Sequence, residues 1–163
     1  MNYQTFVVYF QQQTSRLSHD RALNFALKIV NLLRPDYQEF FQVYKFGNPA
    51  VMGEALQLCE ESKTSLTDNN KIVLMRDEVY KITPDTDDYG EYLGSYALNA
   101  AVAVFHCLQF LIDCNLSNIH AIGISYYDTV YFKILEKEES TPERCEHHPD
   151  MVRAMNFLLD ETR

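Results

Sequence analysis

Apolar residues recur at three- and four-residue spacing along much of the chain, a pattern that predicts amphipathic helices. The first stripe follows Ser18, whose hydroxyl suits the N-cap position of a helix. Pro35 is expected to end that helix or to begin the next, because proline fits a first helical turn and disrupts an interior one. The two stripes are Ala22, Leu23, Ala26, Leu27, Ile29, Val30 and Leu33 before Pro35, then Tyr37, Phe40, Phe41 and Tyr44.

Turn residues mark the next helix boundaries. Gly47 is expected to end one helix, while Asn48 caps the next and Pro49 begins it. This third helix is predicted to continue through Cys59. Residues 68–70 (Asp-Asn-Asn) signal a turn or cap before the apolar segment 72–80. After a break at Ser140-Thr141-Pro142, a last helix is expected from about Asp150.

The most hydrophobic element is predicted over residues 96–114, after a polar loop at 84–94 and a cap at Ser95. Apolar side chains wrap most of the way around this helix, which is typical of a helix at the centre of a fold. We therefore expect an all-α fold, with a single domain over residues 1–163. Its form is predicted to be an orthogonal bundle of about six to seven helices around the hydrophobic central helix.

Segment 119–135 fits two alternatives. Its Ile, Val, Tyr, Thr and Phe residues favour β-strand, and Asp128 could occupy a hairpin turn. The second alternative is a helix, because apolar residues recur at helical spacing, and the residues alone do not decide between the two. These positions are Ile119, Ile122, Tyr126 or Tyr127, Val130 and Ile134.

Composition limits the function. The chain has 163 residues, of which 47% are hydrophobic, and its formal net charge is −9. That charge argues against nucleic-acid binding and against docking on anionic membranes, since both need clustered Lys and Arg. We expect no signal peptide and no apolar run approaching the roughly 20 residues of a membrane span. The four cysteines lack CxxC spacing, so a cytoplasmic protein with reduced thiols is expected.

Charge is distributed unevenly along the chain. Residues 82–132 contain no lysine or arginine, and we call this stretch the acidic block. Such a block repels itself, binds a cation or meets a basic partner. Its six carboxylates are Asp85, Asp87, Asp88, Glu91, Asp113 and Asp128.

Tyrosines accompany the carboxylates at the start of the block. Tyr89, Tyr92 and Tyr96 are spaced by three and four residues and can share a face, although ordinary core lining explains them equally simply. Tyr126, Tyr127 and Tyr131 repeat the pattern. Tyrosine beside carboxylates suits an interface with a basic protein. The partner-binding residues that we predict are Asp85, Asp87, Asp88, Tyr89, Glu91 and Tyr92.

Two groups of side chains resemble metal sites. We call the polar loop at 84–94 the acidic loop. Counted from Asp85, it places Asp87 and Gly90 at EF-hand positions 3 and 6, but Tyr96 replaces the bidentate glutamate required at position 12. A zinc cluster is the other candidate, but adjacent histidines on one short loop rarely reach the same ion. Its residues would be Glu143, Cys145, Glu146, His147 and His148.

His106-Cys107, with Cys114 one heptad later, could supply a cysteine nucleophile. Their position in the most apolar helix argues against this, because buried thiols are usually inert. The chain has no GxSxG, P-loop, GxGxxG or HExxH motif. We therefore expect no enzyme, no catalytic residue, no metal and no cofactor.

Four segments of the chain have a recognisable pattern: Arg34-Pro35-Asp36-Tyr37, Phe46-Gly47-Asn48-Pro49, Pro84-Asp85-Thr86-Asp87-Asp88-Tyr89 running into Tyr96-Ala97-Leu98-Asn99-Ala100, and residues 119–134 with Ser125 and Thr129. Together they resemble the YjaG-like family of bacterial proteins, a domain of unknown function (DUF416). The resemblance covers most of residues 18–160 and implies an all-α domain, which favours a helix over 119–135. It implies no activity, because the family offers no established catalytic residues.

Three functions fit these observations. The favoured one is an acidic protein-binding module of the immunity-protein or antitoxin type, which neutralises a basic partner such as a toxin domain. The second is a self-associating helical protein, such as a homodimer, joined through its aromatic surfaces. The third is a small-ligand binder or enzyme with a deep cavity that joins the acidic loop to His106.

Overall fold

The computed structural model of the chain describes residues 1–138 and 145–163. Within them lie seven helices and no strand, so the all-α prediction is confirmed. The helical alternative for segment 119–135 is right, and Asp128 lies inside a helix rather than at a hairpin turn. The helices are α1 (Tyr3–Thr14), α2 (His19–Tyr44), α3 (Pro49–Glu61), α4 (Asn69–Lys81), α5 (Tyr92–Asp113), α6 (Ser117–Glu138) and α7 (Pro149–Thr162).

Helix α5 is the centre of the fold, as its hydrophobicity predicts. It packs against α2, α3, α4 and α6. Its buried residues include four alanines, which leave room for neighbouring helices to approach closely, while Val104, Leu108 and Phe110 fill the space between them. The alanines are Ala97, Ala100, Ala101 and Ala103.

The expectation that no apolar run approaches the length of a membrane span is wrong for α5. By length and composition this helix could cross a membrane, and it is the one such helix in the described residues. Half of its most apolar window is buried inside the fold. The contacts of α5 with four other helices account for its apolar character.

Pro35 neither ends nor begins a helix, which corrects both alternatives. It lies inside the 26-residue helix α2, where it cannot donate a hydrogen bond to the carbonyl four residues earlier, at a cost of about 3 kcal/mol. The helix continues because Leu33 and Tyr37, one turn apart, are both buried in the core. Packing on both sides of the proline therefore outweighs the lost bond.

The turn between α2 and α3 follows the predicted punctuation. Gly47 has φ +91°, a value that glycine adopts without strain, and Asn48 caps α3 by accepting from the Ala50 N–H at 3.0 Å. The Tyr37 hydroxyl anchors the turn, since it donates to the Ile82 carbonyl at 2.7 Å and accepts from the Asn48 N–H at 3.3 Å. This bond network joins the end of α4 to the start of α3.

Two more boundaries match the predictions, and one does not. Asp68 caps α4, and α7 begins at Pro149, close to the predicted Asp150. Helix α5 begins at Tyr92, so Ser95 lies in its first turn and is not the cap. Residues 140–142, where a break was predicted, lie outside the described residues.

Asp128 provides a test of the packing of α6. The carboxyl is half-buried, and burial raises its pKa from the ordinary value of 3.8. Folding thus disfavours the charged carboxylate. The resulting loss of folding stability is complete above the folded-state pKa and vanishes below 3.8. We expect Asp128→Asn to raise the free energy of unfolding at pH 7 and to lose that advantage as the pH falls towards 3.8.

Urea unfolding of both proteins at pH 7 and at about pH 4 measures this difference. Asp88→Asn is the matched control, because Asp88 is exposed in the loop before α5 and should change stability little. Equal stability of Asp128→Asn and the parent at pH 7 would contradict the prediction.

Candidate functional site

An open groove of about 880 Å³ lies between α2, α6 and the beginning of α5. Charged and aromatic side chains line it together. The charged ones are Asp36 and Glu39 from α2, Glu91 from the loop before α5, and Lys133, Glu136 and Lys137 from α6. The aromatic ones are Tyr92, Tyr96 and Phe132. We call this cavity the acidic groove.

An ion pair forms the floor of the acidic groove. The Lys133 ammonium donates to both carboxylate oxygens of Asp36, at 2.7 and 2.9 Å, and Asp36 is only 8% exposed. The same ammonium lies 5.3 Å from the centre of the Tyr96 ring. A cation is therefore held by a carboxylate and an aromatic face at once, and both interactions favour positive charge.

Two carboxylates at the rim are oriented by tyrosine hydroxyls. The Tyr96 hydroxyl donates to Glu136 Oε2 and the Tyr44 hydroxyl to Glu91 Oε2, each at 2.7 Å. Burial and the bond to Glu136 raise the pKa of Tyr96, and the bond to Glu91 raises the pKa of Tyr44. Each hydroxyl is therefore a hydrogen-bond donor to its carboxylate.

Apolar surface adjoins these carboxylates. Val43 is 59% exposed and Tyr92 is 38% exposed, although both are large hydrophobic residues. The Tyr92 ring stacks on Tyr96 and is tilted against Phe132, with ring centres 6.5 Å apart in each pair. The groove thus combines negative charge with accessible aromatic area.

The predicted partner-binding residues divide into three groups. Glu91 and Tyr92 line the acidic groove. Asp85, Asp87 and Asp88 are exposed in the loop that leads to it, where Asp85 Oδ1 accepts from the Asp87 N–H at 2.9 Å. Tyr89 is directed mainly into the fold, with its ring 5.0–5.3 Å from the rings of an aromatic cluster. The cluster partners of Tyr89 are Phe40, Tyr44 and Phe46.

The tyrosines after the acidic loop therefore do not all share one face. Tyr92 and Tyr96 do, whereas Tyr89 precedes α5 and packs on the end of α2. In the later set, Tyr127 is buried against Phe6 and Tyr126 packs on Phe157.

The acidic block keeps its single sign of charge in the folded protein. Among the described residues, none of its six carboxylates forms an ion pair with lysine, arginine or histidine. Asp113 is bound by neutral groups instead. Burial opposes ionisation of its carboxyl, but hydrogen bonds from Gln109, the Asn115 N–H and Asn118 outweigh it and lower the pKa.

Sequence reasoning missed the residues that come from other helices. Asp36, Glu39, Lys133 and Glu136 line the groove but lie far from the acidic block or outside its boundary. One signal was present, because Asp36 interrupts an apolar stripe between Leu33 and Tyr37. A charged residue at a core position usually has a partner.

The metal sites and the cysteine nucleophile considered from the sequence are not formed by the residues that the structure describes. The described residues contain no group of three or more His, Cys, Asp or Glu side chains that could hold a metal, and Glu143 lies outside them. Cys107 is fully buried beside Cys59, and the hydrogen bond between them, with burial, raises the pKa of Cys59 well above its usual value. His106 Nδ1 lies 2.8 Å from Asn118 Oδ1 and does not line the acidic groove.

The Asp36–Lys133 pair can be tested by a double-mutant cycle. Lys133→Met should lower the free energy of unfolding by about 1–2 kcal/mol, because it leaves the Asp36 carboxylate buried without its cation. The effect is smaller than for a fully buried pair, since the Lys133 side chain is 40% exposed. In an Asp36→Asn background the same substitution should cost much less, and urea unfolding of the four proteins measures the coupling. Additive effects would contradict this role of the pair.

Comparisons with known proteins agree with the resemblance. The family model described as "Protein of unknown function (DUF416)" matches residues 9–160. No curated protein matches the chain. The crystal structure of a DUF416 family protein from Shewanella baltica OS155 is similar in fold, with a TM-score of 0.79 at 24% sequence identity, over 93% of this chain and 82% of that chain. Because the family model spans nearly the whole sequence, the chain belongs to the DUF416 family.

Proposed function

We propose that the protein is a binding module for a basic polypeptide, which it takes up in the acidic groove and on the adjoining acidic loop. Immunity proteins and antitoxins that neutralise a basic toxin domain are the functional class that this proposal favours. The observation that carries it is that the carboxylates of the acidic block form no ion pair among the described residues and adjoin a groove with exposed aromatic surface.

Electrostatics support a basic partner. Once Lys133 is paired with Asp36, the lining residues that the structure describes include three further carboxylates, Glu39, Glu91 and Glu136, and one further ammonium, that of Lys137. Asp85, Asp87 and Asp88 extend the same sign of charge into the loop. A negative surface of this kind attracts a positive partner over several ångströms and raises the association rate more than the affinity.

Aromatic groups supply the second requirement of an interface. Charge alone gives weak, salt-sensitive encounters, whereas the energy of stable interfaces comes mostly from a few buried anchors. Tyr92 and Val43 provide apolar surface in the groove, and this surface is exposed to solvent in the free protein. The proposed partner would cover this area while its cations meet the carboxylates.

The groove favours binding over the enzymatic alternative. That alternative needs one cavity that joins the acidic loop to His106. In the part of the chain that the structure describes, the groove reaches Glu91, but His106 is bonded to Asn118 away from it.

A localised titration tests the proposal. A lysine- and arginine-rich peptide of about twelve residues is added to isotope-labelled protein, and an acidic peptide of equal length serves as the comparison. We expect amide shift changes concentrated in residues 90–96 and 132–137 that weaken as salt is raised. Glu91→Gln/Glu136→Gln should abolish them, whereas the matched control Glu54→Gln/Glu61→Gln on α3 should not. Shift changes spread evenly over the surface, or none at all, would overturn the proposal.

The acidic loop should act mainly on the association rate. Asp87→Asn/Asp88→Asn is expected to slow association of the same basic peptide roughly several-fold at low salt, because the loop then attracts the peptide less strongly. The effect should be smaller at high salt, where charges are screened. Folding should be intact or slightly improved, because the carboxylates repel one another in the free protein. Stopped-flow fluorescence with a labelled peptide measures the rate. Equal rates at every salt concentration would limit these residues to the turn, and a marked loss of melting temperature would reveal an internal ion pair instead.

A further inference from the structure

The acidic groove already holds one cation, the ammonium of its own Lys133. This group is bound by a carboxylate, Asp36, and lies over the face of an aromatic ring, Tyr96. The same combination of groups recurs nearer the mouth of the groove, where Glu91 and Glu136 accompany the rings of Tyr92 and Phe132. Among the described residues no lysine, arginine or histidine forms an ion pair with Glu91 or Glu136, although Lys137 lines the same groove.

The outer carboxylates are held ready to accept hydrogen bonds. Glu91 and Glu136 each use Oε2 to accept from a tyrosine hydroxyl, which fixes the carboxylate and leaves Oε1 as an acceptor within the described residues. Glu91 is at the N-cap position of α5 but makes no side-chain capping bond, so its free oxygen is not consumed by the helix. Binding to pre-oriented acceptors loses less side-chain entropy than binding to mobile ones.

We infer that the mouth of the acidic groove is a receptor for an arginine side chain of the basic partner, with Glu91 and Glu136 accepting from the guanidinium and Tyr92 lying against its plane. The inference rests on the proposed function and names the side chain that this function recognises. Arginine is selected over lysine for three physical reasons.

A guanidinium has five N–H donors in one plane and can reach two acceptors that belong to different elements, here the start of α5 and the end of α6. An ammonium is a compact group that one carboxylate and one ring face accommodate, as Asp36 and Tyr96 do for Lys133. The guanidinium also stacks on aromatic faces, and it is more weakly hydrated, so that it enters a partly apolar groove with a smaller loss of solvation.

Three peptides that differ at one position test the inference. The central residue of an otherwise neutral peptide of about ten residues is arginine, lysine or citrulline, which keeps the shape of arginine and lacks its charge. Calorimetry and amide shifts report affinity and location. We expect the arginine peptide to bind about tenfold more tightly than the lysine peptide, and the citrulline peptide to bind most weakly.

Substitutions in the groove measure how much each carboxylate and the Tyr92 ring contribute to the preference for arginine. Glu136→Gln and Glu91→Gln should each reduce the preference for arginine, and Tyr92→Leu should weaken the arginine peptide more than the lysine peptide. The matched control Glu54→Gln on α3 should preserve the full preference. The Lys133→Met protein is not used, because it alters the floor of the groove.

Each outcome decides between the two proposals. Equal affinities of the arginine and lysine peptides, with shifts localised to the groove, would overturn the arginine receptor and leave the proposed function standing. No localised binding of either these peptides or the lysine- and arginine-rich peptide would overturn both.

Discussion

Leu108→Ala is expected to lower the free energy of unfolding by about 2–5 kcal/mol, the range measured when a leucine is removed from a packed core. Leu108 is fully buried on α5, the helix that four others contact. Truncation leaves a cavity that cannot be filled by movement of one neighbour, since the surrounding helices are fixed by their other contacts. Urea unfolding measures the loss, and the melting temperature should fall by about 2–4 °C for each kcal/mol.

Two further substitutions frame this result. Val104→Ala should destabilise less, because fewer methyl groups leave an equally buried position on the same helix. Leu74→Ala on α4 is the matched control, since Leu74 is 67% exposed and loses little burial. If Leu74→Ala and Leu108→Ala shift the unfolding midpoint equally, α5 is not the core helix.

Features fixed by local chemistry were predictable from the sequence. The apolarity of α5 marks it as central wherever its partners lie, and the caps Asn48 and Asp68 satisfy N–H groups within two residues of themselves. Such features need only neighbouring residues, so a single sequence contains the information. Asp85 belongs to the same class, because its contacts are confined to the loop 85–89.

Features decided by packing were not predictable. The local chemistry of Pro35 disfavours a helix interior, and the prediction fails because Leu33 and Tyr37 are held by distant parts of the core. Ser95 has a cap residue's chemistry, yet α5 starts earlier because the Tyr89 backbone packs on Gly94 within its first turn. In both cases tertiary contacts outweigh a preference of at most a few kcal/mol.

The candidate site shows the same division. Glu91 and Tyr92 were predicted from the acidic block and are in the groove. The floor of the groove joins Asp36 to Lys133, which are 97 residues apart, and no local pattern contains that pairing. The sequence therefore located one wall of the groove, whereas the fold supplies the floor and the opposite wall.

A second large loss of stability is expected from Gly94→Ala, about 2–3 kcal/mol, in the range typical of overpacking. Alanine is ordinarily the better helix former by about 1 kcal/mol, so the sign of the effect is the test. A Cβ at residue 94 would overlap the Tyr89 carbonyl oxygen and would lie 2.9 Å from the Tyr89 Cβ. The Tyr89 backbone cannot retreat freely, because its ring is packed against Phe40, Tyr44 and Phe46.

Gly53→Ala is the matched control, a glycine inside α3 whose added Cβ would meet only the Arg34 Nη2 at 3.3 Å, the end of a flexible side chain. It should be neutral or stabilising, and urea unfolding of the two variants beside the parent gives the comparison. Gly94→Ala should also weaken the basic peptide, because displacement of Tyr89 moves Glu91 and Tyr92, whereas Gly53→Ala should bind it normally. A Gly94→Ala protein as stable as Gly53→Ala would show that the loop before α5 yields to the new methyl group, and the loop would then be too loosely held to orient the rim of the groove.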